Sequence, residues 1–461
     1  MSKFKLVDIL ANLSGHSRNR LAKFVISPYH NTHPLVMRLA EYMLDTAIFD
    51  SKAAFEVLYP EEPFEMQKLR NVMSYFQKLL DKFLVYEAME EDESEQALQL
   101  LKIYRKQQER KAFQAIRTQL EKQLENAVLQ NADTLFKAFQ LHEQEYALEL
   151  NENRLSPKSV QKILDKLDAY YLANRFKYSV IAKSHESVAN TKYDLGWMEA
   201  LLQFANEDKY KEIPAIQVYY WSYLALIDLE KEDYYFQFKE QLKKNVSLFS
   251  PNEQKDLYLL AINYCIKKTN KGHSHFIKEL FELYKDGLGL GVFLDNNVLS
   301  RFSFKNIVSV ALKLEEFDWA QQFITDYCDF VESEYRKDFK NYSLAKWHQL
   351  KGNYKEALAL FQEVSQRDTL IHADTKVSLV KIYYELNEME ALDYLFDSFK
   401  AFLHRNKQLS DYHKKSYLNF VKFAKKLMSA NVKSKKEKLL ALVVDVADLP
   451  DKQWFLKQLD K

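Results

Sequence analysis

Apolar residues recur at intervals of three and four along most of the chain, a spacing that predicts amphipathic α-helices. No segment alternates convincingly between apolar and polar residues at a period of two, which a half-buried strand would require. The pattern therefore predicts an all-α protein of about twenty helices. Short polar turns are expected to join them, such as Leu229–Asp233 and Lys351–Asn353.

The prolines lie where helices are expected to begin, because the first helical position does not need an N–H group. Ser250 and Pro251 are followed by Glu253, a capping-box pattern that predicts the start of the helix covering Asp256–Lys267. The other prolines placed just before or at the start of a periodic segment are Pro34, Pro157 (after Ser156), Pro214 and Pro450.

Composition supports the helical prediction. The chain has 461 residues with 7 Gly and 8 Pro, whereas roughly 32 and 23 are expected at average usage. Folds that need a turn every few residues, such as a Rossmann fold, a TIM barrel or a β-sandwich, are close to excluded, since no glycine lies between Gly15 and Gly196.

An internal repeat is visible in the C-terminal half. In YSLAKWHQLKGNYKEALALFQEV, the Leu344-Ala345 pair, the turn residue Gly352 and the second-helix residues Ala357 and Phe361 occupy the signature positions of a tetratricopeptide repeat. The segment resembles that family, whose units are helical hairpins of about 34 residues. Ala391, Leu392 and Leu395 follow Ala357, Leu358 and Phe361 at that interval, with a turn one residue out of register.

The resemblance is clear over Phe302–Phe402 and weaker over Leu155–Tyr284. It implies an irregular tetratricopeptide-like α-solenoid of antiparallel helical hairpins at residues 151–403. A long helical hairpin at 91–150 is expected to connect it to an N-terminal helical domain at 1–90. The glycines of DGLGLGVFLDNN, which are Gly287, Gly289 and Gly291, predict an ordered loop between repeats.

The N-terminal domain has predicted helices at Lys5–Val25, Leu35–Thr46, Ser51–Leu58 and Phe64–Glu87. Its short helix, turn and long helix resemble the helix-turn-helix half of winged-helix regulators, and the whole layout is also similar to uncharacterised bacterial helical-repeat proteins. The winged-helix resemblance implies a recognition helix at Phe64–Leu84. That helix would present Gln67, Lys68, Arg70, Asn71 and Lys78 to DNA.

Charge argues against DNA binding. Residues 1–88 hold 11 Lys and Arg against 10 Asp and Glu, and the stretch that follows, Tyr86–Leu100, has six acids and no base. Phosphate contact requires a basic surface. The net charge of the whole chain is +1, so it gives no general preference for nucleic acid or anionic membrane. A helical capping role for this domain is the favoured interpretation.

No motif predicts catalysis, a cofactor or a metal. His30 and His33, like His273 and His275, lack neighbours at zinc-ligand spacing, and no nucleophile-elbow, metalloprotease or Walker-type motif is present. Cys265 and Cys328 lie within apolar helical patterns and are expected to be buried thiols. With no signal peptide or membrane span apparent, a cytoplasmic protein is expected.

Two surfaces are candidates for partner binding. Residues 404–461 are predicted to form basic capping helices, with a local charge of about +9 over His404–Lys438. On the helix Lys414–Met428, the basic face comprises Lys414, Lys415, Lys422, Lys425 and Lys426, which leaves open a solvated face or an anion-binding patch.

The other candidate is the groove lined by the first helix of each repeat. There the register points Tyr342, Lys346 and Gln349, then Lys381 and Tyr384, toward a ligand. Lysines at matching positions suit a carboxylate or an acidic peptide. The sequence thus predicts a non-enzymatic scaffold or adaptor that binds a protein or peptide partner in its groove. The alternative is a DNA-binding transcriptional regulator that uses Phe64–Leu84, with the repeats as a sensor.

Overall fold

The computed structural model describes residues 5–46, 48–152, 159–186, 191–365, 367–430, 432–446 and 449–460, apart from the side chains of 151 and 152. These residues form 24 α-helices, two 3₁₀ turns and one short pair of strands. The all-α prediction is confirmed. The chain divides into two compact units, Met1–Leu172 and Ala173–Lys461, with the boundary inside the ninth helix.

The first unit is built from α-helices throughout its described part. Its helices are α1 (Lys5–Ala11), α2 (Gly15–Ile26), α3 (Pro34–Asp45), α4 (Ser51–Leu58), α5 (Met66–Glu91), α6 (Glu93–Gln107), α7 (Arg110–Glu125), α8 (Ala132–Glu152) and the N-terminal half of α9 (Val160–Glu186). Helices α1–α5 enclose one apolar core, and α6–α8 enclose a second.

Two predictions for this unit are wrong in detail. A single helix was expected over Lys5–Val25, but the Ser14 side chain accepts a hydrogen bond from the Ser17 N–H at 3.1 Å and so starts a new helix, α2. Three helices, α6–α8, lie where one long hairpin was expected. The short helix Ser51–Leu58 is confirmed, and the predicted long helix corresponds to α5. Ser156 and Pro157 lie outside the described residues.

The second unit continues with paired helices. They are α10 (Met198–Phe204), α11 (Asp208–Lys211), α12 (Pro214–Ile227), α13 (Glu232–Asn245), α14 (Pro251–Asn270), α15 (Phe276–Gly289), α16 (Arg301–Lys313), α17 (Phe317–Tyr327), α18 (Arg336–Leu350), α19 (Tyr354–Gln362), α20 (Thr369–Glu385), α21 (Met389–Arg405), α22 (Asp411–Met428), α23 (Lys433–Asp445) and α24 (Lys452–Asp460). The 3₁₀ turns are Val246–Leu248 and Cys328–Phe330.

Consecutive helices of this unit pack as pairs, including α12 with α13, α14 with α15, α18 with α19 and α20 with α21. The first helices of successive pairs also contact one another, since α16 packs on α18, α18 on α20 and α20 on α22. The predicted capping box is present at the start of α14, where the Ser250 N–H and hydroxyl donate to the Glu253 carboxylate at 3.3 and 2.9 Å.

Three turns within these pairs have the same backbone geometry. In each, one residue with positive φ lies two positions after the first helix and two before the second: Glu315 (φ 61°), Gly352 (φ 80°) and Asn387 (φ 59°). The next N–H in each turn bonds five residues back, from Glu316 to Ala311 O, from Asn353 to His348 O and from Glu388 to Tyr383 O, at 3.0, 2.9 and 2.9 Å. This is the helix-ending motif that favours glycine. The interval between turns is therefore 37 residues and then 35.

The predicted glycine loop is wrong in part. Gly287 and Gly289 belong to helix α15, and only Gly291, at φ 70°, lies in the turn that follows. A short antiparallel pair of strands, β1 (Leu294–Asp295) with β2 (Val298–Leu299), then reverses the chain. These strands are two residues each, too short to show alternation in the sequence.

Candidate functional site

A pocket of about 380 Å³ lies across α16, α18 and α20, the first helices of three successive pairs. Its volume is in the range of small-ligand sites. Fifteen residues line it: Lys305, Asn306, Val308, Ser309, Leu312, Lys313, Tyr342, Ser343, Lys346, Leu350, Asp374, Val377, Lys381, Pro450 and Asp451. The last two precede α24 and bring the C-terminal segment to the pocket wall. Exposed Lys313 and Leu350 carry the pocket to the surface.

Equivalent positions of the three helices meet in this pocket. Positions can be matched by counting back from the turn residue that follows each helix, which is Glu315, Gly352 or Asn387. Six positions back lie Ser309, Lys346 and Lys381, and ten positions back lie Lys305, Tyr342 and Val377. All six line the pocket. The matched lysines Lys346 and Lys381, predicted from the repeat register, therefore share one wall of a single pocket. Tyr342 lines it as well, although its side chain is almost fully buried.

The pocket contains more positive than negative charge. Four lysines and two aspartates among its lining residues give a formal charge of +2. Two of these four lysines form ion pairs with the two aspartates. Lys305 pairs with Asp374, whose other oxygen accepts a 2.6 Å hydrogen bond from the Tyr417 hydroxyl, and Lys381 pairs with Asp451 at 2.7 Å. Although burial alone would raise the pKa of Asp451, Lys381 and Lys346 lower it to about 2.

The other two lysines, Lys313 and Lys346, have no carboxylate within 4 Å in the described part of the chain. Lys346 instead donates to the Ser378 hydroxyl at 3.2 Å. Burial, followed by repulsion from Lys381, lowers the pKa of the Lys346 ammonium to about 8. The carboxylates of Asp451 and Asp374 act on Lys346 in the opposite direction but do not offset this lowering.

Ser343 lies beside Lys346 on the wall formed by α18. Its side chain is 1% exposed, and its hydroxyl has no hydrogen-bond partner among the described residues. Buried hydroxyl groups are usually hydrogen-bonded, so the Ser343 hydroxyl is a donor that the described residues leave unused.

Two of the predicted groove residues contact other parts of the chain instead of lining the pocket. Gln349 is buried and donates to the Ser378 carbonyl at 3.3 Å. The Tyr384 ring packs edge-on against Trp454 of α24 at a centroid distance of 5.4 Å. Neither lines the pocket. The sequence register therefore found Tyr342, Lys346 and Lys381 but missed Lys305, Lys313, Ser343, Asp374 and Asp451.

A repeat-based alignment could have found Lys305, which occupies the same turn offset as Tyr342. Asp451 had no such signal, because it lies 70 residues after Lys381 and only tertiary packing brings the two together.

The predicted basic face lies on α22. Its apolar residues Tyr417, Phe420, Val421, Ala424 and Leu427 are buried in the C-terminal core. Of the lysines, Lys415, Lys422 and Lys426 are exposed, whereas Lys414 and Lys425 are half-buried. Lys425 lies 3.4 Å from Asp397.

The side chains of the proposed recognition helix make local contacts. Lys68 pairs with Glu62 and lies near Glu65, Gln67 donates to Asn71 at 3.2 Å, and the Lys78 ammonium lies over the Tyr75 ring. Arg70 is exposed. In the described chain the next element after α5 is helix α6, in the place where a wing would begin.

The histidine pairs and the cysteines have protein partners. His30 stacks on Phe24, His33 lies beside Tyr75, and His273 and His275 both approach Glu232. Cys265 and Cys328 are free and buried, as predicted. The described residues include no group of three or more potential ligands placed to hold a metal ion.

Within the described ranges, none of the helices has the length and apolarity needed to cross a membrane. Comparison of the chain with protein-family models, curated proteins and solved structures gives no match. Functional inference therefore depends on the pocket itself.

Proposed function

We propose that the protein is a non-enzymatic scaffold, in which an irregular tetratricopeptide-like solenoid of antiparallel hairpins binds an acidic segment of a partner protein. The observation that carries this proposal is the pocket across α16, α18 and α20, where four lysines face only two carboxylates. The equal turns at Glu315, Gly352 and Asn387 support the repeat, because they place equivalent side chains on the same wall.

The C-terminal segment supplies an internal precedent for the type of ligand. Asp451 pairs with Lys381, and Trp454 packs on Tyr384 while its indole N–H donates to Glu385 at 3.1 Å. An acidic residue followed by an aromatic one is thus already seated on α20. A partner with a similar acidic segment would reach the open half of the pocket, at Lys313 and Lys346.

Capture of a partner from native lysate by the tagged intact chain tests this proposal, when it is combined with charge reversal. Lys313 lies at the exposed side of the pocket. The Lys313→Glu variant is expected to lose capture of any partner that the unmodified protein binds in a stoichiometric amount. Lys340→Glu is the matched control, since Lys340 is exposed on α18 but does not line the pocket. Equal capture by both variants would show that the partner binds elsewhere.

Nuclease treatment of the lysate separates the scaffold from the DNA-binding alternative. A partner that survives nuclease and depends on Lys313 supports the scaffold. Loss of every partner on nuclease treatment, together with DNA binding that weakens steeply with salt, would instead favour a regulator that uses α5.

A further inference from the structure

The inner wall of the pocket has the features of a small-anion site. Lys346 lacks a carboxylate partner in the described chain, and the adjacent Ser343 hydroxyl is buried without a hydrogen bond there. Lys313 adds, at the exposed side, a second ammonium group that forms no ion pair with the described residues. Two positive charges and an unused hydroxyl therefore face the same space.

We propose that this pocket binds a small phosphate-bearing molecule through Lys346, Lys313 and Ser343. A phosphate monoester carries between one and two negative charges at neutral pH and has three strong acceptor oxygens. It would neutralise the formal charge of +2 and accept from two ammonium groups and one hydroxyl, whereas a single carboxylate would leave one charge unbalanced.

The lowered pKa of Lys346 agrees with this assignment. Burial and the nearby Lys381 lower its pKa to about 8, and a bound dianion would raise the pKa again by supplying the opposite charge. Binding at pH 8 should therefore take up protons from solution. The inference goes beyond the proposed function, because a small phosphate compound needs no partner protein.

Isothermal titration of the intact protein with inorganic phosphate and with glycerol 3-phosphate, at low salt and pH 7, tests the proposal. We expect one site per chain with a Kd below about 1 mM. Lys346→Met should weaken binding about ten-fold or more and Ser343→Ala several-fold, since each removes one donor to the anion. Asp451→Asn should strengthen binding several-fold, because it removes a negative charge from the wall.

Lys340→Met is the control, because it removes a lysine from the same helix at a position that does not line the pocket. Its affinity for phosphate should match that of the unmodified protein, and thermal melting of each variant confirms folding. Titration of glycerol 3-phosphate at pH 8 in two buffers of different ionisation enthalpy should show proton uptake that disappears in Lys346→Met.

Three results would overturn the phosphate assignment: no binding of either phosphate compound, equal weakening by Lys346→Met and Lys340→Met, or acetate binding as tightly as phosphate. The scaffold proposal has a separate outcome. If an acidic partner protein binds through Lys313 while phosphate does not, the scaffold stands and the phosphate site fails; the reverse pattern supports the phosphate site alone.

Discussion

The carboxylate of Asp451 lies 2.7 Å from the Lys381 ammonium, which joins the start of the C-terminal helix to the third of the three pocket helices. Asp451 has a left-handed backbone, with φ at 51°. Aspartate and asparagine tolerate this conformation better than most residues. The pair therefore depends on a residue type that suits both the turn and the lysine.

Replacement of Asp451 with Asn should reduce the free energy of unfolding at pH 7. Lys381 and Lys346 hold the pKa of Asp451 at about 2, below its value in an unfolded chain. The stabilisation is thus complete above about pH 5 and is lost as the pH falls through 4 toward 2. Because the Asp451 side chain is 40% exposed, solvent screens the pair, and we expect a loss of about 1 kcal/mol.

Urea unfolding of both proteins at pH 7, 4 and 3 measures this effect. The difference between them should narrow at the two lower pH values. A constant difference would mean that the shape or hydrogen bonds of Asp451, and not its charge, account for the stability.

Replacement of Lys346 with Met should stabilise the protein at pH 7, on the order of 1 kcal/mol. The folded protein lowers the pKa of Lys346 to about 8, while an unfolded chain keeps it near 10.5. The protonated lysine therefore costs the folded state its full amount below pH 8, and that cost disappears as the pH rises toward 10.5. Guanidinium unfolding at pH 7 and 9.5 should show the advantage of Met shrinking at the higher pH.

A variant that is less stable than the unmodified protein at pH 7 would contradict this prediction. It would mean that the hydrogen bond from Lys346 to Ser378 contributes more than the buried charge costs.

The turn residue Glu315 should be replaceable by Gly with a gain in stability. Its φ of 61° is strained for a residue with a Cβ, while Gly352 occupies the same turn position in the next pair without strain. Thermal unfolding should show Glu315→Gly more stable by about 0.5 to 1 kcal/mol and Gly352→Ala less stable by about 1 kcal/mol. The prediction is that the two substitutions change the free energy of unfolding in opposite directions. If both destabilise, the shared turn geometry does not govern them.

Gly287 and Gly289 in α15 should respond differently to alanine. A Cβ at Gly287 would collide with the ring of Phe293, which is 4% exposed and packed against Tyr258 and Tyr284. Gly287→Ala should therefore lose about 1 to 3 kcal/mol despite the better helix propensity of alanine. Nothing lies within 4 Å of a Cβ at Gly289. Gly289→Ala should be neutral or slightly stabilising, and similar losses for both would contradict the Phe293 explanation.

The Cys265 thiol should be inert in the folded protein. Its side chain is fully buried, and burial raises its pKa to about 12, so the reactive thiolate is scarce at pH 8. In a Cys328→Ser variant, a disulfide reagent should modify Cys265 at least 100-fold more slowly in buffer than in guanidinium. Comparable rates under both conditions would show that helix α14 opens readily around this residue.

The sequence alone predicted the helical class, which the structure confirms. Helical periodicity, few glycines and prolines at helix starts are local signals, because backbone hydrogen bonds and capping act within a few residues. The same local logic placed Lys346 and Lys381 on a common face, and both line the pocket. It misplaced the breaks at Ser14 and within residues 93–152, where a cap or a turn interrupts a continuous apolar pattern.

Tertiary structure decided what those residues contact. Lys381 forms an ion pair with Asp451, 70 positions along the chain. Among the described residues, Lys346 donates to the Ser378 hydroxyl, and the nearby Ser343 hydroxyl has no hydrogen-bond partner. The periodicity of a helix fixes which side a residue occupies, but the partner on that side comes from another helix. The sequence therefore determined where the lysines lie on their helices, and the packing of α16, α18, α20 and the C-terminal segment determined which of them form ion pairs.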